Sequence, residues 1–307
     1  MIGNPLPLLK REIWEHRAIY VTPLVIALLV SLMSITGQVT ISAFDQYLDF
    51  AIVGATNLGE RERAAVISAL MTGVSSLFAI AMWILTIFYA LDSLYAERKD
   101  RSILFWRSMP STDAETVVSK LLTALVIIPL VTFAVIIATH LIVLTCATIW
   151  VGIRGANAWH LIWAAAPFFD NWAATAAFLF ALPLWLSPFV GWFLLVSAYT
   201  SRSPFLVAFL PIAVLPMLEK SLVGTSLFAD AFFIRSAKLP LFRGMDTKDF
   251  LFFEGDGPRL SENLSFSLLS HLDLLRFLGS PGLWLGLIVC GLFTTAAIYL
   301  RRYRDDS

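Results

Sequence analysis

The sequence predicts an all-α membrane protein with six spans, and three observations carry that expectation. Of its 307 residues, 58% are hydrophobic and only 14% charged, whereas a soluble domain has about 25% charged residues. Mean hydropathy is +0.79. Apolar runs of about 20 residues, the length that crosses a hydrocarbon core, recur along the chain, and the charges collect between them.

Taken in order, the runs cover Ala18 to Val39, Met71 to Leu94, Lys120 to Trp150, Asn171 to Tyr199, Pro204 to Val223 and Pro281 to Leu300. Pro183 and Pro188 interrupt the fourth and predict a kink or a split there. Residues 1–17 form a separate unit ahead of the first span. Leu6, Leu9, Ile13 and Trp14 fall near one helical face, with Lys10, Arg11, Glu12 and Arg17 more polar around them, the pattern of an amphipathic surface helix. No cleavage pattern follows it, so the first run reads as a retained span.

Charge position sets the orientation. Lys10, Arg11 and Arg17, the basic residues between Arg98 and Lys120, then Arg202 and the Arg301–Arg302 pair all fall at one set of ends. The opposite short loop, 151–170, carries only Arg154. The excess of basic residues places both termini in the cytoplasm of a multi-pass inner-membrane protein. The 22 basic and 22 acidic residues cancel, leaving no basic field for nucleic acid.

Three further segments complete the division. Residues 40–70 mix charge and apolar side chains as an outer interfacial helix would. Residues 224–280 read as an external subdomain or a lid on the bundle. Residues 281–307 are the last span and a basic tail.

Between spans two and three lies "YAERKDRSILFWRSMPSTDAE". Thr112 and Glu115 have the capping-box spacing that starts the third span's helix, and Pro110 ends any helix arriving from the other side. What precedes them, 96–110, reads as one short cytoplasmic helix, charged early and apolar late. Lipid headgroups or a protein cleft would each cover its aromatic half.

This chain resembles the permeases of ABC-2 exporters, the membrane halves of ATP-driven transporters. The resemblance rests on residues 89–122, "YALDSLYAERKDRSILFWRSMPSTDAETVVSKLL", and on the order of segments. It implies a six-span bundle with an N-terminal interface helix carrying Lys10, Arg11 and Trp14. It also implies that 96–110 is a coupling helix docking into an ATP-binding subunit. Glu97, Arg98, Asp100 and Arg101 would then set polar contacts, with Phe105, Trp106 and Met109 filling the cleft. The partners so implied are two ABC ATPases and a second permease, in a homodimer, with spans one, two and five bordering a pathway between the copies. Ser75 and Ser76 in span two, with Pro211 and Pro216 in span five, are its candidate lining.

Chemistry within the chain is sparse. "GATNLGER" has glycines at P-loop spacing but Glu60 in place of the lysine, a chance match. The chain is thus expected to be no enzyme and to hold no cofactor or metal, with ATP and Mg bound by the partner ATPase. His16, His140, His160 and His271 are scattered, and His140, inside the third run, reads as a neutral histidine bonded to a neighbouring helix. Cys146 and Cys290 read as buried structural thiols. Ionisable groups are almost absent from mid-span, which favours an amphipathic or lipid-like cargo over an ion. The alternative is a non-transporting membrane scaffold whose external region, 224–280, binds an envelope partner.

Overall fold

The computed structural model describes residues 6–35, 59–99, 112–153, 155, 157–243 and 268–303. These residues are all-α, with no strand among those described. Among the described residues five helices are long and apolar enough to cross a membrane, or six if one bent pair of helices counts as a span. That is consistent with a multi-pass membrane protein.

Helix α1 (Leu6–Glu15) precedes α2 (Ala18–Ile35). Helix α3 (Glu60–Lys99) runs unbroken for 40 residues. Its hydroxyls do not disturb it, because they turn back on carbonyls one turn earlier: Thr72 Oγ1 donates to Ser68 O, and Thr86 Oγ1 to Met82 O, both at 2.8 Å. Residues 60–70 therefore extend span two and do not form the separate outer helix expected over 40–70; the rest of that segment, to residue 58, lies outside the described residues. The same continuity carries span two past Leu94 to Lys99, so Glu97 and Arg98 end this helix and do not begin a new one.

Helix α4 (Asp113–Ile153) starts at the expected box: Glu115 N–H donates to Thr112 Oγ1 at 3.2 Å, and Thr112 N–H to Glu115 Oε2 at 2.9 Å. It widens to a π turn at Thr123–Ile127. The cause is Pro129, which lacks an N–H and whose ring would strike the carbonyl of Leu125, one turn back.

The fourth span is split. Helix α5 (Phe168–Trp185) and α6 (Ser187–Tyr199) meet at Leu186 with a bend of 53°. Pro188, in the first turn of α6, has no N–H to give to the preceding helix. Phe189 N–H turns instead to Leu186 O at 3.0 Å, which releases the Trp185 carbonyl from the helical ladder. Helices α7 (Pro204–Leu222) and α8 (Leu227–Ala237) follow, joined by a turn in which Gly224 has φ +73°. The short helices α9 (Leu268–His271) and α10 (Leu274–Leu278) lead into α11 (Pro281–Tyr303).

One apolar core runs through the bundle, joining Phe78 and Met82 of α3, Ile128 and Ile136 of α4, and Phe178 and Leu194 of the split span. Leu239, Leu241 and Phe242 belong to that core, and Phe242 stacks on Phe178. Residues 239–242 of the segment 224–280 are thus packed on the bundle, while α8 buries no residue. Helix α7 is the least enclosed of the candidate spans, with 6% of its apolar window buried.

The closest seam joins α6 to α11. A Cβ on Gly191 would lie 3.1 Å from the backbone of Cys290. Cys290 is buried and free, while Cys146, also free, is only half-buried, short of the burial expected for it. Gly191→Val is expected to destabilise the fold by about 2 kcal/mol through overpacking, and Gly191→Ala by less. Thermal unfolding in detergent checks this, with no loss in the valine variant as the contrary result.

Candidate functional site: a buried charge cluster

The charged ends of α1, α3, α4 and α11 converge at one end of the bundle. At the centre are Glu12, Glu97 and Lys120, whose side chains are 1%, 2% and 0% exposed. Lys120 Nζ lies 3.0 Å from Glu12 Oε1 and 3.0 Å from Glu97 Oε1. Arg11 Nη2 donates to Glu97 at 2.7 Å. Arg301 reaches both Glu97 Oε2 at 2.5 Å and Asp113 Oδ1 at 2.9 Å. Tyr89 O–H donates to Glu12 Oε2 at 2.8 Å. Three cations and three carboxylates balance, with Glu15 at the rim on Arg11 Nε at 3.1 Å.

Helical geometry puts these groups together. Arg11 and Glu12 are neighbours on the inward side of α1, while Trp14, 69% exposed, faces outward beneath the Lys10 ammonium, 4.9 Å from its ring. Lys120 follows the cap of α4 by two turns, which sets its ammonium beside the last turns of α3. Glu12, Glu15 and Glu97 bring carboxylate oxygens within 4.8 Å of one another. That spacing would suit a metal, yet Lys120, Arg11 and Arg301 already stand among them, so the chain's own cations supply the positive charge. Burial of such groups is tolerated only because every one is paired.

His16 closes the α1–α2 junction against this cluster. Its ring sits edge-on to Tyr89, centroids 4.9 Å apart, with Nε2 3.8 Å from Glu12. Burial and then the Lys120 charge hold its pKa below the ordinary histidine value, against the opposing pull of Glu12. Arg11 is held above its ordinary value because Glu12, Glu97 and Glu15 together outweigh its burial.

Arg98 lies beside the cluster and fastens α3 to the end of α6: its Nη2 donates to the carbonyl of Ser197 and to that of Thr200 at 2.7 Å. Glu97 and Arg98 are therefore engaged inside the subunit. Asp100, Arg101, Phe105, Trp106 and Met109, expected with them on a coupling helix, lie outside the described residues. Ser75 and Ser76 face the interior, where Thr175 Oγ1 donates to Ser75 Oγ at 3.3 Å and Ser76 Oγ donates to Thr72 O at 2.8 Å. Pro211 and Pro216 are half-buried on α7.

At the far end of the bundle, His140 is satisfied on both nitrogens. The indole N–H of Trp172 donates to Nδ1 at 3.1 Å, so Nε2 carries the proton and donates to Met71 O at 2.9 Å. It is the neutral, helix-bridging histidine expected from the sequence.

Glu12, Lys120, Arg301 and Asp113 were not singled out by the sequence as a site. The one available signal was Lys120, a lone ammonium at the start of an apolar run, which has to find a carboxylate. No protein-family model, curated protein or solved structure matches this chain.

Two outcomes follow from this geometry. Glu97→Gln leaves Lys120 and Arg301 short of a counter-charge in a buried site and is expected to cost about 3–5 kcal/mol, read by thermal unfolding in detergent; a stability equal to wild type would contradict the pairing. For His16, a folded pKa below the unfolded one means that stability is fully present above about pH 6.5 and is lost as pH falls through the folded value. His16→Gln is expected to flatten that acid-side decline, which thermal unfolding between pH 7 and pH 5 measures.

Proposed function

We propose that this chain is the membrane permease subunit of an ATP-driven ABC-2 type exporter, working with a separate ATP-binding subunit. The observation that carries the reading is the buried charge cluster. The chain leaves α3 at Lys99 and re-enters α4 at Thr112 at the same end where α1, α3, α4 and α11 are bound together by Glu97, Lys120 and Arg301. A force applied to the intervening segment, 100–111, is delivered through these ion pairs to four helices at once.

In this reading, two ATPase subunits with ATP and Mg bind a permease homodimer in the inner membrane, with both termini cytoplasmic. Residues 100–110, following the end of α3, couple the subunits, Asp100 and Arg101 making polar contacts and Phe105, Trp106 and Met109 filling a cleft. Lys10 and Trp14 on the outward face of α1 add to the same docking surface. The cargo is amphipathic or lipid-like, since ionisable groups in the spans cluster at their ends. Its direction is outward by analogy with the exporters the sequence resembles.

The test is purification of the tagged chain from its host in mild detergent. A P-loop ATPase should co-purify, and the Arg101→Glu, Trp106→Ala pair should abolish its retention and ATP-dependent substrate movement in vesicles, leaving the folded permease intact. Retention of the ATPase by the double variant overturns the coupling site. Absence of any ATPase from the folded wild type favours the scaffold.

A further inference from the structure

A second built site lies at the opposite end of α11, around Arg235. The break in the fourth span frees the Trp185 carbonyl, and Arg235 takes it with two donors, Nε at 2.9 Å and Nη2 at 2.6 Å. Arg235 Nη1 donates to Gly282 O at 3.0 Å. The indole N–H of Trp185 in turn donates to Arg235 O at 2.7 Å, a carbonyl that the end of α8 leaves without an i+4 partner. The guanidinium carbon also lies 4.6 Å from the centre of the Trp185 ring. Gly286 completes the seat: a methyl group there would collide with the guanidinium.

All of these partners are carbonyls or a ring, and none is an acid. No carboxylate among the described residues pairs with Arg235, and burial alone holds its pKa below the ordinary guanidinium value. A half-buried, full positive charge is fixed in place with no neutralising anion beside it among the described residues. Depth says where that anion comes from. From Gly282 to Arg301 the helix α11 rises roughly 28 Å at 1.5 Å per residue, close to the ~30 Å hydrocarbon thickness. If Arg301 and Arg302 mark one headgroup layer, Arg235 sits at the other. Trp284 of α11 and Phe233 of α8, both largely exposed, stand at this level of their helices on the sides turned away from the seat, as residues of a membrane interface do.

We propose that Arg235 receives the phosphate of an anionic phospholipid headgroup, with the acyl chains lying on the apolar surface of α8 and α11. The site does not depend on the transport reading. Its phosphate contact uses the guanidinium hydrogens left over from Trp185 and Gly282, a charge-assisted geometry that point charges on a mobile side chain do not reproduce.

The test is native mass spectrometry of the purified full chain in detergent, titrated with phosphatidylglycerol and, separately, phosphatidylcholine. Wild type should prefer the anionic lipid by roughly tenfold, about 1.4 kcal/mol. Arg235→Gln should lose that preference, and Arg243→Gln, whose arginine already pairs with Asp273, should keep it. Gly286→Ala, which retains the charge but displaces the guanidinium, serves if the glutamine variant does not fold, and it too should lose the preference. An unchanged preference in either folded variant overturns the proposal. So does full displacement of the lipid by millimolar inorganic phosphate, which would make this a free-anion site.

Discussion

Lys120 has its ammonium shut away from water, and the rest of the charged end is arranged around that fact. An isolated buried ammonium would lose its proton or unfold its surroundings. Glu12 and Glu97 prevent that, but each then needs further partners, and Arg11, Arg301 and Tyr89 provide them. The chain's first helix, the end of its second span, the start of its third and the end of its last are held by one electrostatic unit. Removing any single member leaves the others uncompensated. Such a cluster specifies which helix ends meet, where apolar packing alone would let them slide.

At the other end, Arg235 solves a different problem. A helix broken at Pro188 leaves the Trp185 carbonyl without its helical donor, and such a group packed inside the protein has to find another. A guanidinium arriving from α8 satisfies it twice over, and the glycine pair Gly282 and Gly286 clears the space. Helix α8 is fastened to the bundle by the same bonds that repair the break.

Helix class, the rough positions of the long apolar helices and the capping box at Thr112 were legible because apolar run length, proline and short-range capping are local properties. The split at Leu186 was legible for the same reason, since Pro183 and Pro188 stand in the run. The charge cluster was not: Glu12 with Lys120, and Glu97 with Arg301, are far apart in the chain, and only packing brings them together. Helical periodicity also misjudged α1. Trp14 counts as apolar and Glu12 as polar, yet Glu12 is inside and Trp14 outside, because the surface that α1 meets is itself charged. The start of span two was misplaced because Glu60, Arg61 and Arg63 break an apolar run without breaking a helix.

The unequal lengths of the helices have a consequence for where they end relative to the bilayer. At 1.5 Å per residue, α3 and α4 are each roughly 60 Å long, whereas α7, of 19 residues, is about 28 Å. Only the apolar stretch of a helix has to match the hydrocarbon, so the long pair either leans or extends past it at its ends. The charged turns at the ends of α3 therefore have no place in the apolar layer and carry that helix beyond it, which α7 does not do.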